Sequence, residues 1–385
     1  MNEPKLRFKA DDGNQFPSWD EKKLGDICTP LTYGMNVAAI KYDGLNKYIR
    51  ITDIDDESHL YKSDEYVSPN GVLDDRYLVG ENDILFARTG ASVGKSYIYN
   101  KKDGKLYYAG FLIKAHVKSE NSNFVFYQTL TERYAKWVQL TSMRSGQPGI
   151  NANEYSEFGI QIPCLQEQQK IASLFTELDN LIQSAKKELD GYRELKQGML
   201  QKMFPKKGEK VPEIRFPEFT GDWELCVLGE ITKTNPFKPF IVEGASNGSY
   251  EVIQQGDTPI SGYANGQPFQ NYENITLFGD HTLSLYKPKS PFFVASDGVK
   301  ILSPSIDMNG LFYYYLLMKY KPNSEGYKRH YTIMKSCEAS YPSNRDEQMR
   351  IAEYFENLDN LIVSQQQELD GYKELKKGLL QQMFC

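Results

Sequence analysis

Two stretches of the chain carry the same long alternation of apolar and polar positions. From Ile171 onward, apolar side chains return every three or four residues through Leu174, Phe175, Leu178, Leu181, Ile182, Ala185, Leu189, Tyr192, Leu195, Met199 and Met203. That spacing draws one stripe along a helix. Residues 345 to 384 draw it again, through Ile351, Phe355, Leu358, Leu361, Ile362, Leu369, Tyr372, Leu375, Leu379 and Met383. In heptad terms position a holds Ile171, Leu178, Ala185, Tyr192 and Met199, while position e gains Phe175, Ile182, Leu189 and Met203. The stripe therefore drifts from a/d toward a/e, as a nearly straight helix of 3.6 residues per turn requires. The pattern predicts helices over 165–204 and 345–384, each a rod of about 60 Å. A rod with one apolar stripe needs a partner, and its twin is the obvious one. Leu178, Leu181, Tyr192, Leu195, Leu358, Leu361, Tyr372 and Leu375 are the candidate positions for helix packing and partner contact. Gly191, Gly198, Gly371 and Gly378 each cost ~1 kcal/mol relative to alanine in a helix, which marks them as points of close helix approach or slight bending.

The two stretches are copies. Residues 165–204 align without a gap onto 345–384 with 24 of 40 positions identical, a periodicity that precedes any local reading. A second echo links residues 4–27 to 212–231, each with a tryptophan (Trp19, Trp223) five residues before Leu-Gly-acid-Ile. The intervening stretches show no comparable likeness. The expected organisation is a variable domain over 1–164, a constant helix over 165–204, a linker and second variable domain over 205–344, and a constant helix over 345–385. The link after the first helix carries prolines that end it near Phe204. Two equal units pack most simply about an approximate two-fold axis, which makes the helices antiparallel and places one variable domain at each end. Glu188, Asp190, Glu194 and Lys196 recur as Glu368, Asp370, Glu374 and Lys376. Core packing does not require identity at such polar positions, so both halves are expected to offer one surface to one kind of partner twice.

Inside the variable stretches the period changes. Residues 47–55, 81–90, 95–100 and 106–117 are short β-branched and aromatic runs bounded by Gly, Asn and Asp, and 123–140 is a helix candidate. In the second stretch 250–255, 275–279, 281–286 and 290–302 read as strands and 308–321 as a helix. The fold class is α+β: two mixed domains on an antiparallel two-helix coiled coil with an internal pseudo-two-fold repeat.

Chemistry is sparse. The segment TGASVGKS (89–96) lacks the first glycine of a P-loop and runs into SYIYN, a strand, where a phosphate loop needs a helix N-terminus. The four histidines lack metal-ligand spacing, no GxSxG occurs, and Asn235-Pro236-Phe237 lacks the second proline of an adenine methyltransferase motif. Asp280 and His281, adjacent on a strand, point to opposite faces and make no acid–base pair. Five scattered cysteines form neither a zinc knuckle nor a disulfide framework. The reading is a chain with no catalytic residue, no metal, no cofactor of its own, no membrane segment and a cytoplasmic location. Net charge is -6, yet residues 84–164 are net +5 and 287–337 net +5, against -8 over 53–83. Each variable domain thus has a basic part hidden by the average. Bases interleaved with Gln, Asn and Tyr, as in MRSGQPGIN (143–151) and EGYKRHYTIMK (325–335), suit phosphate positioning with base-edge readout.

These features together resemble the DNA-specificity subunit of type I restriction-modification systems over essentially the whole chain. The resemblance is carried by the twin helices with Glu167-Gln168 and Glu347-Gln348 near their starts, by IPCLQEQQKIA (162–172), and by the endings ELKQGMLQKMF and ELKKGLLQQMF. In the variable domains it is carried by NDILFARTGASVGK (82–95), SGQPGIN (145–151), FGDHT (278–282), FFVASDGVKIL (292–302) and GYKRHY (326–331). The second helix departs from it, being entered through YPSNRDEQ (341–348) instead of IPxxxEQ. The resemblance implies a non-catalytic reader of double-stranded DNA whose two domains each recognise half of a gapped site, with the helices as spacer. It further implies two methyltransferase subunits, two restriction subunits in the full complex, and S-adenosylmethionine, ATP and Mg on those partners. Candidate DNA-binding residues are Arg88, Lys95, Arg144 and Gln147 in the first domain and Gln255, Lys328, Arg329 and His330 in the second. The rival reading is a coiled-coil adaptor displaying two ligand-binding domains. Because the basic parts are modest, the isolated chain is expected to bind DNA poorly and to need methyltransferase subunits for tight binding. Titrating one duplex with the chain alone and with the assembled complex checks this, and equal affinity would show that the partners add nothing.

Overall fold

The computed structural model describes residues 3–384 except 63, 64, 144–146, 325 and 327. It divides into two compact units, one of Met1–Ala185 with Glu368–Cys385 and one of Lys186–Gln367. The division runs through the two long helices, Leu165–Lys202 and Arg345–Met383, so each unit owns a piece of both.

In the first unit an antiparallel sheet is ordered Thr32–Tyr33, Leu112–His116, Asp83–Ala87, Ser96–Ile98. A second sheet sets Lys47–Ile49 parallel to Leu106–Tyr108, with Leu78–Val79 antiparallel on the other side. Asp20–Lys23 pairs with Gly159–Ile162 and closes the domain beside the start of the first long helix. The second unit repeats this plan despite its unlike sequence. Its four-stranded sheet runs Thr232–Asn235, Val299–Pro304, Thr276–Gly279, Leu285–Tyr286. Tyr250–Ile253 lies parallel to Phe292–Val294, and Glu224–Val227 pairs with Glu338–Tyr341. Several expected elements divide, among them the strand over 290–302, which is Phe292–Val294 and then Val299–Pro304, and the run 47–55, of which only Lys47–Ile49 is strand. The helix expected over 123–140 is Ser122–Gln128 followed by Glu132–Ser142, because Thr131 caps a new helix by accepting from the Tyr134 N–H. The strand expected over 106–117 breaks at Ala109–Phe111.

Each domain is fixed to its helix by one buried carboxylate. Glu167 is fully buried and accepts from Arg7 Nε at 3.1 Å, Arg7 Nη2 at 2.7 Å and Trp19 Nε1 at 3.2 Å. Glu347 does the same with Arg215 Nε at 2.7 Å, Arg215 Nη2 at 2.8 Å and Trp223 Nε1 at 3.2 Å. The next residue completes the joint. Gln168 accepts from the Asn121 N–H at 2.9 Å and donates to the Pro163 carbonyl at 2.9 Å, and Gln348 accepts from Asn309 at 2.9 Å and donates to Pro342 at 2.8 Å. The unusual entry YPSNRDEQ thus preserves the joint with one more residue between proline and glutamine. Around each joint sits an aromatic quartet: Trp19, Phe124, Phe175 and Phe384 in the first unit, Trp223, Phe312, Phe355 and Phe204 in the second.

The helix segments within each unit run antiparallel. In the first, Phe175 meets Phe384 and Asp179 meets Lys376 at 2.6 Å; in the second, Phe204 meets Phe355 and Asp359 meets Lys196 at 2.5 Å. Each aspartate also accepts from a tyrosine of its variable domain, Tyr127 at 2.8 Å and Tyr315 at 2.7 Å, and each lysine lies over that ring. Burial pushes both phenols up, the neighbouring carboxylate adding to it, so they stay protonated donors. Among the candidate helix positions Leu178 and Leu358 are buried and Tyr192 and Tyr372 half-buried. Leu181, Leu195, Leu361 and Leu375 are 45% to 52% exposed and so lie outside the packed seam, which runs through a and e. The glycine expectation is also corrected: a Cβ at Gly191, Gly198, Gly371 or Gly378 would meet nothing within 4 Å.

Two stability outcomes follow. Glu167→Ala strips the partner from a largely buried guanidinium and should cost about 3 kcal/mol, read as a lower urea midpoint with lost amide protection in the first unit. An unchanged midpoint would show that the carboxylate is dispensable. Gly191→Ala and Gly371→Ala should each stabilise the free chain by up to about 1 kcal/mol; a drop in the midpoint would reveal a constraint that open space around the Cα does not explain.

Candidate nucleic-acid interface

In both units the same loops converge at one end of the four-stranded sheet. In the first, strands Asp83–Ala87 and Ser96–Ile98 are joined by a turn closed by Ala87 N–H to Lys95 O at 2.8 Å and Gly94 N–H to Ala87 O at 3.0 Å. This is the strand-to-strand turn expected in place of a P-loop. Gly94 has φ +88°, and a Cβ there would lie 2.6 Å from Val138 Cγ1, so only glycine lets the turn settle on the helix Glu132–Ser142. The segment 147–151 is stitched to this turn: Gly90 N–H donates to Pro148 O at 3.1 Å and Ile150 N–H to Arg88 O at 2.9 Å. The motif NDILFARTGASVGK and the QPGIN part (147–151) of SGQPGIN, far apart in sequence, are therefore one surface, residues 145 and 146 lying outside the described residues.

The second unit builds the same junction with other residues. Gly279 N–H donates to Ser284 O at 2.9 Å, Leu283 N–H to Gly279 O at 2.9 Å, and His330 N–H to Asp280 O at 2.7 Å. By hydrogen-bond position Asp280 stands where Arg88 stands and His330 where Ile150 stands. Asp280 is buried, accepts from the Tyr331 N–H at 2.8 Å and lies 3.6 Å from Lys300 Nζ. It organises FGDHT, the KRHY end (328–331) of GYKRHY and FFVASDGVKIL into one site without facing outward, residue 327 lying outside the described residues. A cavity of about 280 Å³ opens beside it, lined by Gln254, Gln255, Gly256, Asp257, Gly279 and Ser284 among others.

The candidate residues fall into distinct positions. Arg88 is half-buried, its guanidinium carbon 4.9 Å from the Tyr33 ring and Nη1 3.4 Å from the Gly110 carbonyl. Lys95 sits at the turn but is engaged by the Ile54 carbonyl at 3.1 Å and by Asp56. Gln147 is exposed at the tip, its Nε2 3.4 Å from where a Gly90 Cβ would be. Arg144 lies outside the described residues. Gln255 accepts from the His281 N–H at 3.0 Å, and Lys328 and Arg329 are exposed, the latter 3.9 Å from Asp297. His330 requires a correction: it is 0% exposed and its Nδ1 lies 3.2 Å from the Asp280 carbonyl, so it supports the loop from beneath and cannot touch a ligand at the surface. Sequence reasoning passed over Tyr33 and Phe111. The only signal for Phe111 was Gly110, a strand breaker inside an otherwise continuous apolar run.

Among the described residues there is no group of three or more His, Cys, Asp or Glu placed to hold a metal ion, and no helix is long and apolar enough to cross a membrane. Burial pushes the Cys28 thiol up to about 12, far from a reactive thiolate.

Comparison with known proteins agrees with this geometry. Residues 17–191 match the type I restriction modification DNA specificity domain. Two proteins of Methanocaldococcus jannaschii are similar over 97% of this chain and 94% of their own length: the type I restriction enzyme MjaVIII specificity subunit at 24% identity, and the putative type I restriction enzyme MjaX specificity subunit at 24%. The fold is similar to that of the type I restriction-modification S subunit of M. genitalium, with TM-score 0.69 at 14% identity over 100% of this chain and 99% of that one. It is also similar to a chain from a structure describing complex assembly and conformational transition of the type I R-M system, with TM-score 0.53 at 17% identity over 96% of this chain and 98% of that one. Residues 17–191 thus carry the type I restriction modification DNA specificity domain, and over 97% of its length the chain is similar to type I specificity subunits.

Proposed function

We infer that this chain is the non-catalytic DNA sequence-recognition subunit of a type I restriction-modification complex, each variable domain reading one half of a bipartite, gapped site. The observation that carries the reading is the repeated junction at the sheet end. Two domains with the same order of strands in the four-stranded sheet present the same junction, yet the residues at equivalent positions differ, Arg88 against Asp280 and Phe111 against Gly298. One frame with unlike tips is what recognition of two unlike half-sites requires. The basic surplus near both junctions, net +5 over 84–164 and over 287–337, suits phosphate contact. An adaptor would leave the paired junctions without a purpose.

The helices 165–204 and 345–385 act as the spacer between the reading domains 1–164 and 205–344 and as the docking surface for two methyltransferase subunits, joined by two restriction subunits in the full assembly. Leu181 with Leu375 in one unit and Leu195 with Leu361 in the other stay about half exposed at twin positions, beside glycines that the chain's own packing does not require. Repeated exposure of large apolar groups supports a repeated partner. S-adenosylmethionine, ATP and Mg belong to those partners, and the complex works on DNA in the cytoplasm.

Co-expression with the cognate adenine methyltransferase, followed by mapping of methylated bases, tests this. The expected result is a gapped, asymmetric motif that vanishes when the chain is omitted; methylation that persists without it would overturn the reading. Arg88→Ala should relax one position of one half-site, with about 1–3 kcal/mol of discrimination lost. Uniform weakening on every sequence would instead make Arg88 a phosphate contact.

A further inference from the structure

Resting on the reading of the first domain as a half-site reader, we propose that Phe111 is a specificity-determining residue of that domain. Its ring packs on the 5-methyl group of a thymine in the major groove, beside the base pair that Arg88 reads, while Tyr33 holds the Arg88 guanidinium in place.

The strand register sets the geometry. Phe86 pairs with Ile113 and Ile113 with Tyr33, so these three share one face of the sheet. Phe86 and Ile113 are buried in the core, and Tyr33 is 41% exposed at its rim. Two residues farther along the two central strands, Arg88 and Phe111 continue that face beyond the core, held opposite each other by the Arg88 N–H donating to the Phe111 carbonyl at 3.1 Å. The Arg88 guanidinium lies over Tyr33 and donates to Gly110, which limits its rotamers before any ligand arrives.

Phe111 is 60% exposed on backbone that has little freedom. Gly110 N–H donates to Met35 O at 2.7 Å and Leu112 N–H to Ala109 O at 2.8 Å. The turn is so tight against its neighbour that a Cβ on Gly34 would fall 2.4 Å from the carbonyl oxygens of Tyr108 and Ala109. A lone exposed phenylalanine is ordinary on a protein surface. This one is distinguished by its fixed mount, by the stacked cation beside it, and by its counterpart. In the second unit the same hydrogen bond runs from Asp280 N–H to Gly298 O at 2.8 Å, and glycine occupies the place of the phenylalanine. The turn therefore forms without the ring, which stays 60% exposed. Of the groups that base pairs expose in the major groove, the thymine methyl is the apolar one, and arginine beside it suits guanine O6 and N7. An apolar ring next to an arginine thus fits a thymine adjoining a G·C pair.

The test uses the chain assembled with its methyltransferase subunits on the motif defined by methylation mapping. Each thymine of the half-site read by the first domain is replaced in turn by deoxyuridine, which removes only the methyl group. One such replacement should weaken wild-type binding roughly fivefold, the low end of the cost of one mismatched pair. Phe111→Ala should bind the thymine duplex with a similar loss and show no further loss on deoxyuridine, and its methylation motif should relax at that one position. Phe111→Leu, which keeps an apolar group, should retain part of the discrimination. Wild-type binding indifferent to every deoxyuridine, or a Phe111→Ala motif identical to wild type, overturns the proposal while leaving the half-site reading intact. Absence of any gapped motif with the wild-type chain overturns that reading, and the proposal with it.

Discussion

A carboxylate removed from water in the first turn of a long helix is the constraint on which each half of this protein depends. Burying Glu167 or Glu347 alone would cost several kcal/mol. Arginine supplies two parallel donors and tryptophan a third, and the helix N-terminus adds a favourable field. These donors come from the segments that open each variable domain, Arg7 and Trp19 in one and Arg215 and Trp223 in the other. The charge is satisfied only when domain and helix meet in one orientation. Glutamine at the next position extends the requirement to the cap of a domain helix, through Asn121 or Asn309. Electrostatic need thus sets an angle that apolar packing alone would leave adjustable.

With the joint so fixed, the rest of each domain divides into a frame and a tip. The frame uses strand pairing and an aromatic quartet that recurs residue for residue. At the tip, main-chain hydrogen bonds carry the geometry, and main-chain bonds do not depend on side-chain identity. Ile150 and His330 donate the same N–H to the same carbonyl position, one with an apolar side chain and one with an imidazole. Arg88 and Asp280 can exchange a half-buried cation for a buried acid because the backbone beneath them is held alike. The acid, once buried, recruits Lys300 and the Tyr331 amide, so the second tip is stabilised by charge where the first relies on glycine and a stacked arginine.

The helices and their duplication were legible because long amphipathic periodicity and 24 shared positions survive any context. The echo around Trp19 and Trp223 was visible as a pattern, but its meaning was not, since nothing local tells that an indole N–H faces a carboxylate 148 residues away. The heptad assignment overextended position d: Leu181 and Leu195 fit the stripe by spacing, yet both are about half exposed and lie outside the seam. The common four-stranded sheet of the variable domains was hidden, because strands of two to six residues tolerate almost any β-forming sequence and the shared features are backbone bonds. At the site, Arg88 and Gln147 were visible as polar residues near glycines. His330 looked like a ligand-facing residue because it follows two bases, and only the packing shows that the chain turns it inward.

Charge completes the argument, since a net of -6 is at odds with a protein that meets DNA. The acids of 53–83 are largely occupied with bases of the same unit. Asp53 holds Arg50, Asp56 holds Lys95, Glu57 holds Lys373, and Asp83 holds His116 and lies near Lys114. A base already paired within the fold offers less to a phosphate, because binding DNA must first displace its carboxylate. Lys95 illustrates this at the turn itself: it lies next to the reading surface, yet its ammonium group is turned toward Ile54 and Asp56. Among the described residues Arg50, Lys95, Lys114 and Lys373 of this unit are engaged in this way. Among the described residues Arg88, by contrast, is held by the Tyr33 ring and the Gly110 carbonyl and not by a carboxylate, so a ligand at this tip has no acid to displace from it.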